Sequence, residues 1–135
     1  MDYVIGIVLA LVVVGSMTLL GFDRDRAFYP TVMIVIAAYY ILFAATTGSS
    51  SVLMAEIAAA IVFILLAVIG FKTSPWFVVV ALAAHGIFDF FHYRIIDDPG
   101  VPSFWPGFCS AFDIVAAIYL AALVVSRGRS RLEPA

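Results

Sequence analysis

Charge is scarce in this chain. Asp, Glu, Lys and Arg make up 12% of its 135 residues, about half the share found in soluble domains. There is one cysteine, Cys109, which excludes an internal disulfide and a CxxC metal pattern. The one lysine, Lys72, stands at the end of an apolar run, so a retinal Schiff base inside a membrane is excluded. Both histidines, His85 and His92, lie on one predicted helix, so a haem held between facing histidines would need partner subunits. G-x-S-x-G, H-E-x-x-H and the P-loop are all absent, and with them the hydrolase, zincin and nucleotide readings they would carry. No long basic run exists, which argues against nucleic acid. The formal net charge of −2 names no partner.

Apolar residues are abundant instead, at 65%. They fall into five runs, about 3–22, 27–47, 52–71, 76–94 and 104–125. A spanning helix needs ~20 apolar residues to cross ~30 Å of hydrocarbon. Strands of a membrane barrel would instead show alternating segments of about ten residues. The expected fold is therefore all-α, a single integral membrane bundle of five transmembrane helices covering 1–135. Breaks between runs are marked by Asp23-Arg24-Asp25-Arg26, Gly48-Ser49-Ser50-Ser51, Ser74-Pro75 and Asp97-Asp98-Pro99-Gly100. The first run carries Asp2 rather than a basic n-region and has no A-x-A site before Asp23, so it reads as a retained helix and not a cleaved signal. With five spans, Arg24, Arg26, Lys72, Arg127, Arg129 and Arg131 share one side and Arg94 stands alone on the other. That bias predicts an outer N-terminus and a cytoplasmic C-terminus.

The informative residues are the ionisable ones inside the apolar runs, because such groups are costly in a bilayer and functional by default. They are Glu56, His85, Asp89, His92 and Asp113. At ~1.5 Å per residue, Glu56 lies roughly 6–8 Å below the outer interface, Asp89 roughly 8 Å, and His85 and Asp113 roughly 14 Å, while His92 lies near the surface. All fall in the outer half. His85, Asp89 and His92 are spaced i, i+4, i+7 in H-x-x-x-D-x-x-H, which places them on one helix face. Cys109 and Asp113 share a face of the fifth helix, and Tyr39 and Tyr40 reach a similar depth. Imidazole with carboxylate suits a divalent metal such as Zn, Fe or Mn, and helical bundles build such sites from inward-facing Glu and His. In this reading His85, Asp89 and His92 are ligands, Asp113 is a bridging ligand or base, and Glu56 and Cys109 are additions. The site would activate water or oxygen on a lipid-like substrate. Two other readings stand beside it: a proton or ion relay in a small transporter, and a polar network that only locks the bundle or contacts a neighbour in a larger complex. No haem, retinal or nucleotide cofactor is expected. Membrane lipids, a lipid-like substrate and further copies of the chain are the expected partners.

The stretch H-G-I-F-D-F-F-H from His85 to His92, followed by Val101-Pro102-Ser103-Phe104-Trp105-Pro106-Gly107-Phe108-Cys109 and Phe112-Asp113, resembles small uncharacterised bacterial integral-membrane proteins. The resemblance covers about a third of the chain. It implies a multi-pass protein of the bacterial inner membrane and carries no assigned activity.

Overall fold

The computed structural model describes residues 1–130 and side chains through Gly128; the expectations for Arg129 as a side chain and for Arg131 lie outside the described residues. Five helices form: α1 (Asp2–Leu20), α2 (Phe28–Thr47), α3 (Ser50–Lys72), α4 (Pro75–Ile95) and α5 (Trp105–Ser130), with a short 3₁₀ turn, Phe22–Arg24, between α1 and α2. All five are long and apolar enough to cross a membrane, and the chain reads as a multi-pass membrane protein. The helix ends are set by local chemistry. Pro30, Pro75 and Pro106 each sit in the first turn of a helix, where the missing N–H is not needed. Ser49 and Ser74 accept backbone N–H groups from Val52 and Trp76 at the starts of α3 and α4. Gly21 closes α1 in a left-handed conformation, φ 79°, with its N–H directed at the carbonyls of Met17 and Thr18.

The helices pack in the spatial order α1, α5, α4, α3, α2, with α2 also touching α4. The first helix therefore lies beside the last, and α1 buries only Gly6, Ala10 and Val14. At one end of the bundle Tyr39 and Phe43 of α2 meet Trp105 of α5 at ring distances of 5.0 and 5.1 Å. The loop from α4 to α5 folds over that end and buries Ile96, Asp98 and Val101. Within it, Asp98 Oδ1 accepts the Gly100 N–H at 2.8 Å, so the turn expected from Asp97-Asp98-Pro99-Gly100 is pinned by an aspartate that faces inward.

The opposite end carries the 3₁₀ turn. Asp23 is buried there, although the sequence places it among four consecutive charges. Its Oδ2 accepts from Thr18 at 2.8 Å and from Arg127 at 2.9 Å. A second nitrogen of Arg127 donates to the Asp23 carbonyl at 3.0 Å. Tyr119 donates to Thr18 at 3.0 Å, and Arg26 donates to the Thr73 carbonyl at 2.8 Å. The basic run thus ties α1, α3 and α5 together. It also explains why α5 continues past the expected Val125: Arg127 is held by Asp23 and not by the end of the helix.

Candidate functional site

The middle of the bundle is apolar except for one cluster. Glu56, His85, Asp89, His92 and Asp113 are all 0–1% exposed. On α4, the i, i+4, i+7 spacing does put His85, Asp89 and His92 on the buried face, while Ile87, Phe90 and Phe91 are exposed. Gly86 governs how closely α5 can approach. A Cβ there would lie 3.0 Å from the Ser110 carbonyl oxygen and 3.2 Å from Asp113 Cβ, so a side chain at 86 would push apart the two helices that carry the cluster.

Two pairs result. In the first, His85 Nδ1 donates to Asp113 Oδ2 at 2.7 Å. The same nitrogen is 3.2 Å from Asp89 Oδ2, but outside hydrogen-bonding geometry, and both Asp89 oxygens are buried without a hydrogen bond. One ligand atom from each of His85, Asp89 and Asp113 falls within 4.8 Å of the others. In the second pair, His92 Nε2 donates to Glu56 Oε1 at 2.7 Å. His92, expected to join His85 and Asp89, instead takes Glu56 of α3 as its hydrogen-bond partner, and it is buried. Glu56 is likewise buried, not wetted, because α3 presents it to α4 and not to lipid.

Aromatic rings separate and wall the two pairs. Tyr40 lies 4.5 Å from the His92 ring and 5.9 Å from the His85 ring. Phe63 meets His85 edge-on at 4.6 Å, and Phe88 stands 6.2 Å from His85 and 5.6 Å from His92. The crevice between Tyr40, Glu56, Phe63, His85 and Phe88 has no room for a water molecule. Tyr40 is 2% exposed and Tyr39 is 39% exposed; only the first belongs to the cluster, a choice that two adjacent tyrosines conceal in the sequence. Cys109 is buried, with no hydrogen bond to the cluster among the described residues. Asp23 and Asp98 were not singled out by the sequence, since each sits in a charged or turn-forming loop with no apolar periodicity to reveal its burial.

Several polar atoms of the cluster have no hydrogen-bond partner among the described residues: Tyr40 OH, Glu56 Oε2, Asp89 Oδ1 and Oδ2, His92 Nδ1 and Asp113 Oδ1. Four of these are carboxylate oxygens. Buried polar atoms are normally satisfied, and in hydrocarbon each orphan costs several kcal/mol. Comparison with family models, with curated proteins and with solved structures finds no match.

Proposed function

We propose that the chain is a membrane protein holding a divalent metal ion between α4 and α5, with His85, Asp89 and Asp113 as its ligands. The observation that carries this reading is the three carboxylate oxygens of Asp89 and Asp113 that are buried without a hydrogen bond, on residues that each bring a ligand atom within 4.8 Å of one another and of His85. Three carboxyl groups face two imidazoles, so even two protonated histidines leave one carboxylate uncompensated. An added cation answers that deficit, and removing a partner from a buried charge is strongly unfavourable. Ligands of one tetrahedral zinc at ~2.0–2.1 Å stand about 3.3 Å apart. The 3.2 Å between His85 Nδ1 and Asp89 Oδ2 suits that spacing. The 2.7 Å to Asp113 Oδ2 is a hydrogen bond, so to hold an ion His85 would have to give up the proton on Nδ1, and Asp113 would offer a carboxylate oxygen in its place. Glu56 and His92 then form a supporting pair and not part of the ligand set. A divalent ion held there would supply water or oxygen activation toward a lipid-like substrate.

The test is elemental analysis for Zn, Fe, Mn and Cu in detergent-purified protein that has met no chelator. The expected result is near-stoichiometric metal, lost in His85→Ala and in Asp89→Asn while both variants remain folded, and retained when Glu56 and His92 are replaced together. Unchanged metal in the two single variants would sink the ligand assignment. A metal-free wild type would favour the second reading, a proton relay, which rests on the two 2.7 Å imidazole–carboxylate bonds and on Tyr40 between them. Proton-coupled flux in liposomes is its readout.

The orientation belongs to the same proposal. Arg24, Arg26, Lys72 and Arg127 lie toward one end of the bundle, and that end is cytoplasmic by the positive-inside rule. A reporter fused to the C-terminus is expected to be active only inside the cell; activity only outside would reverse the assignment.

A further inference from the structure

The basic end holds a second set of unsatisfied groups, with Arg127 about 21 Å along α5 from Asp113 of the His–Asp cluster at ~1.5 Å per residue. A cavity of about 430 Å³ opens there between the 3₁₀ turn, the start of α2, the start of α4 and the end of α5. Its inner wall is apolar, from Pro30, Val78, Leu120 and Val124. Its rim is charged, from Asp23, Arg24, Asp25, Arg26 and Arg127, and the Asp25 carboxylate accepts the Ala27 N–H at 3.1 Å. Asp23 Oδ2 and Arg127 are spent on each other. Arg24 is exposed, and its guanidinium has no hydrogen bond among the described residues. Two residues of the cavity lining also carry a buried polar atom without a hydrogen-bond partner: the hydroxyl of Tyr29, which is 4% exposed, and Oδ1 of Asp23, which is 4% exposed.

The cavity therefore offers a free guanidinium and a phenol donor to an anion, and a carboxylate acceptor to a hydrogen-bond donor, above a wall that suits hydrocarbon. Guanidinium matches phosphate oxygens in charge and shape. A ligand that fills all three roles is amphiphilic, with a phosphodiester beside a hydroxyl or ammonium group. We propose that this cavity binds the headgroup of a phospholipid, with the phosphodiester on Arg24 and Tyr29 and the hydroxyl or ammonium group on Asp23 Oδ1. The acyl chains follow Leu120 and Val124 into the bilayer. Arg26 adds charge at the rim while remaining tied to the Thr73 carbonyl. General attraction of juxtamembrane arginine to anionic lipid needs only net charge. This site differs in demanding a donor on the headgroup as well as a phosphate.

Native mass spectrometry of delipidated protein, with phosphatidylglycerol, phosphatidylethanolamine and phosphatidylcholine added in equal amounts, tests it. The first two carry a headgroup donor and the third carries none. Phosphatidylethanolamine, which like phosphatidylcholine has no net charge, is expected to be retained at least fivefold over phosphatidylcholine, with phosphatidylglycerol retained as well, and Arg24→Gln with Tyr29→Phe is expected to remove that preference; retention of phosphatidylglycerol alone would be net-charge attraction and would overturn the proposal. Neither residue is needed for the Asp23–Arg127 and Thr18–Tyr119 bonds, so the double variant keeps the fold. Glycerophosphoglycerol, the same headgroup without acyl chains, is the soluble competitor. Failure to displace the lipid at millimolar concentration supports a lipid, and displacement at micromolar concentration overturns the lipid assignment in favour of a free phosphodiester. Equal retention of the three lipids, or a preference unchanged in the double variant, also overturns the proposal. No ligand of the metal reading is touched, so each proposal fails or stands separately.

Discussion

Replacing His92 by Phe is expected to destabilise the bundle by about 3–5 kcal/mol, the cost of leaving a buried charge without its partner. The phenylalanine keeps a ring against Tyr40 and Phe88, at the places where His92 now makes contacts of 4.5 and 5.6 Å. What it removes is the 2.7 Å bond to Glu56 Oε1. Since Glu56 Oε2 has no donor already, the carboxyl group would then be wholly orphaned in a residue that is 1% exposed. Adding Glu56→Met should recover most of the loss, because replacing a complete buried ion pair by well-packed apolar residues is neutral or stabilising by about 1–4 kcal/mol. The loss is therefore large in the single variant and small in the double variant. The coupling energy from the four-way cycle, measured by denaturant titration in detergent micelles, should reach about 2–3 kcal/mol. A single variant costing under 1 kcal/mol would mean that Glu56 reaches water or is held uncharged. The cycle also separates stability from ligation, since the double variant is expected to keep its metal.

The difference between these two histidines shows where sequence reading stops. The spans followed from run length, because ~20 apolar residues have few other folds, and every run became a helix within a few residues of its expected ends except at the C-terminal end of α5. The H-x-x-x-D-x-x-H face also followed, because angular spacing within one helix is fixed by its pitch. Partner choice did not follow. It depends on how α3 is rotated, and α3 is so evenly apolar that Glu56 alone marks its inner face. Nor does the sequence reveal that α1 lies beside α5 and not beside α2; one tie of that arrangement is Arg127 of α5 reaching Asp23, just past α1, across more than a hundred residues. Both missed features are contacts between helices. Both are made by a polar side chain whose neighbours in sequence give it no distinguishing context.

The α1–α5 contact gives the second large effect. Gly6→Val should loosen α1 from α5, while Gly15→Ala, nine residues along the same helix, should be neutral or stabilising. A Cβ at Gly6 would run into the backbone oxygen of Phe108 and lie 3.0 Å from Ala111 Cβ. A carbonyl within α5 cannot turn aside as a side chain can, so the two helices must separate. Overpacking in a close contact costs typically 1–3 kcal/mol, and valine, which adds two methyl groups beyond the clashing Cβ, should fall at the upper end. At Gly15 nothing lies within 4 Å of the added atom, and alanine gains about 0.5–1 kcal/mol of helix propensity over glycine. The effect at Gly6 should be severe because α1 has little else to hold it: it buries three residues, of which Gly6 is one, together with the Thr18–Tyr119 and Thr18–Asp23 bonds at its far end. Crosslinking by a short bifunctional thiol reagent between cysteines placed at Tyr3 and Gly107, where the Tyr3 ring lies 3.3 Å from a Cβ at 107, in a Cys109→Ala background, reads the α1–α5 contact. Crosslinking should fall at least tenfold in Gly6→Val and be unchanged in Gly15→Ala. Equal crosslinking in both would mean that α1 docks on α5 through Ala10 and Val14 alone, and that the close approach at Gly6 is not what fixes the first helix beside the last.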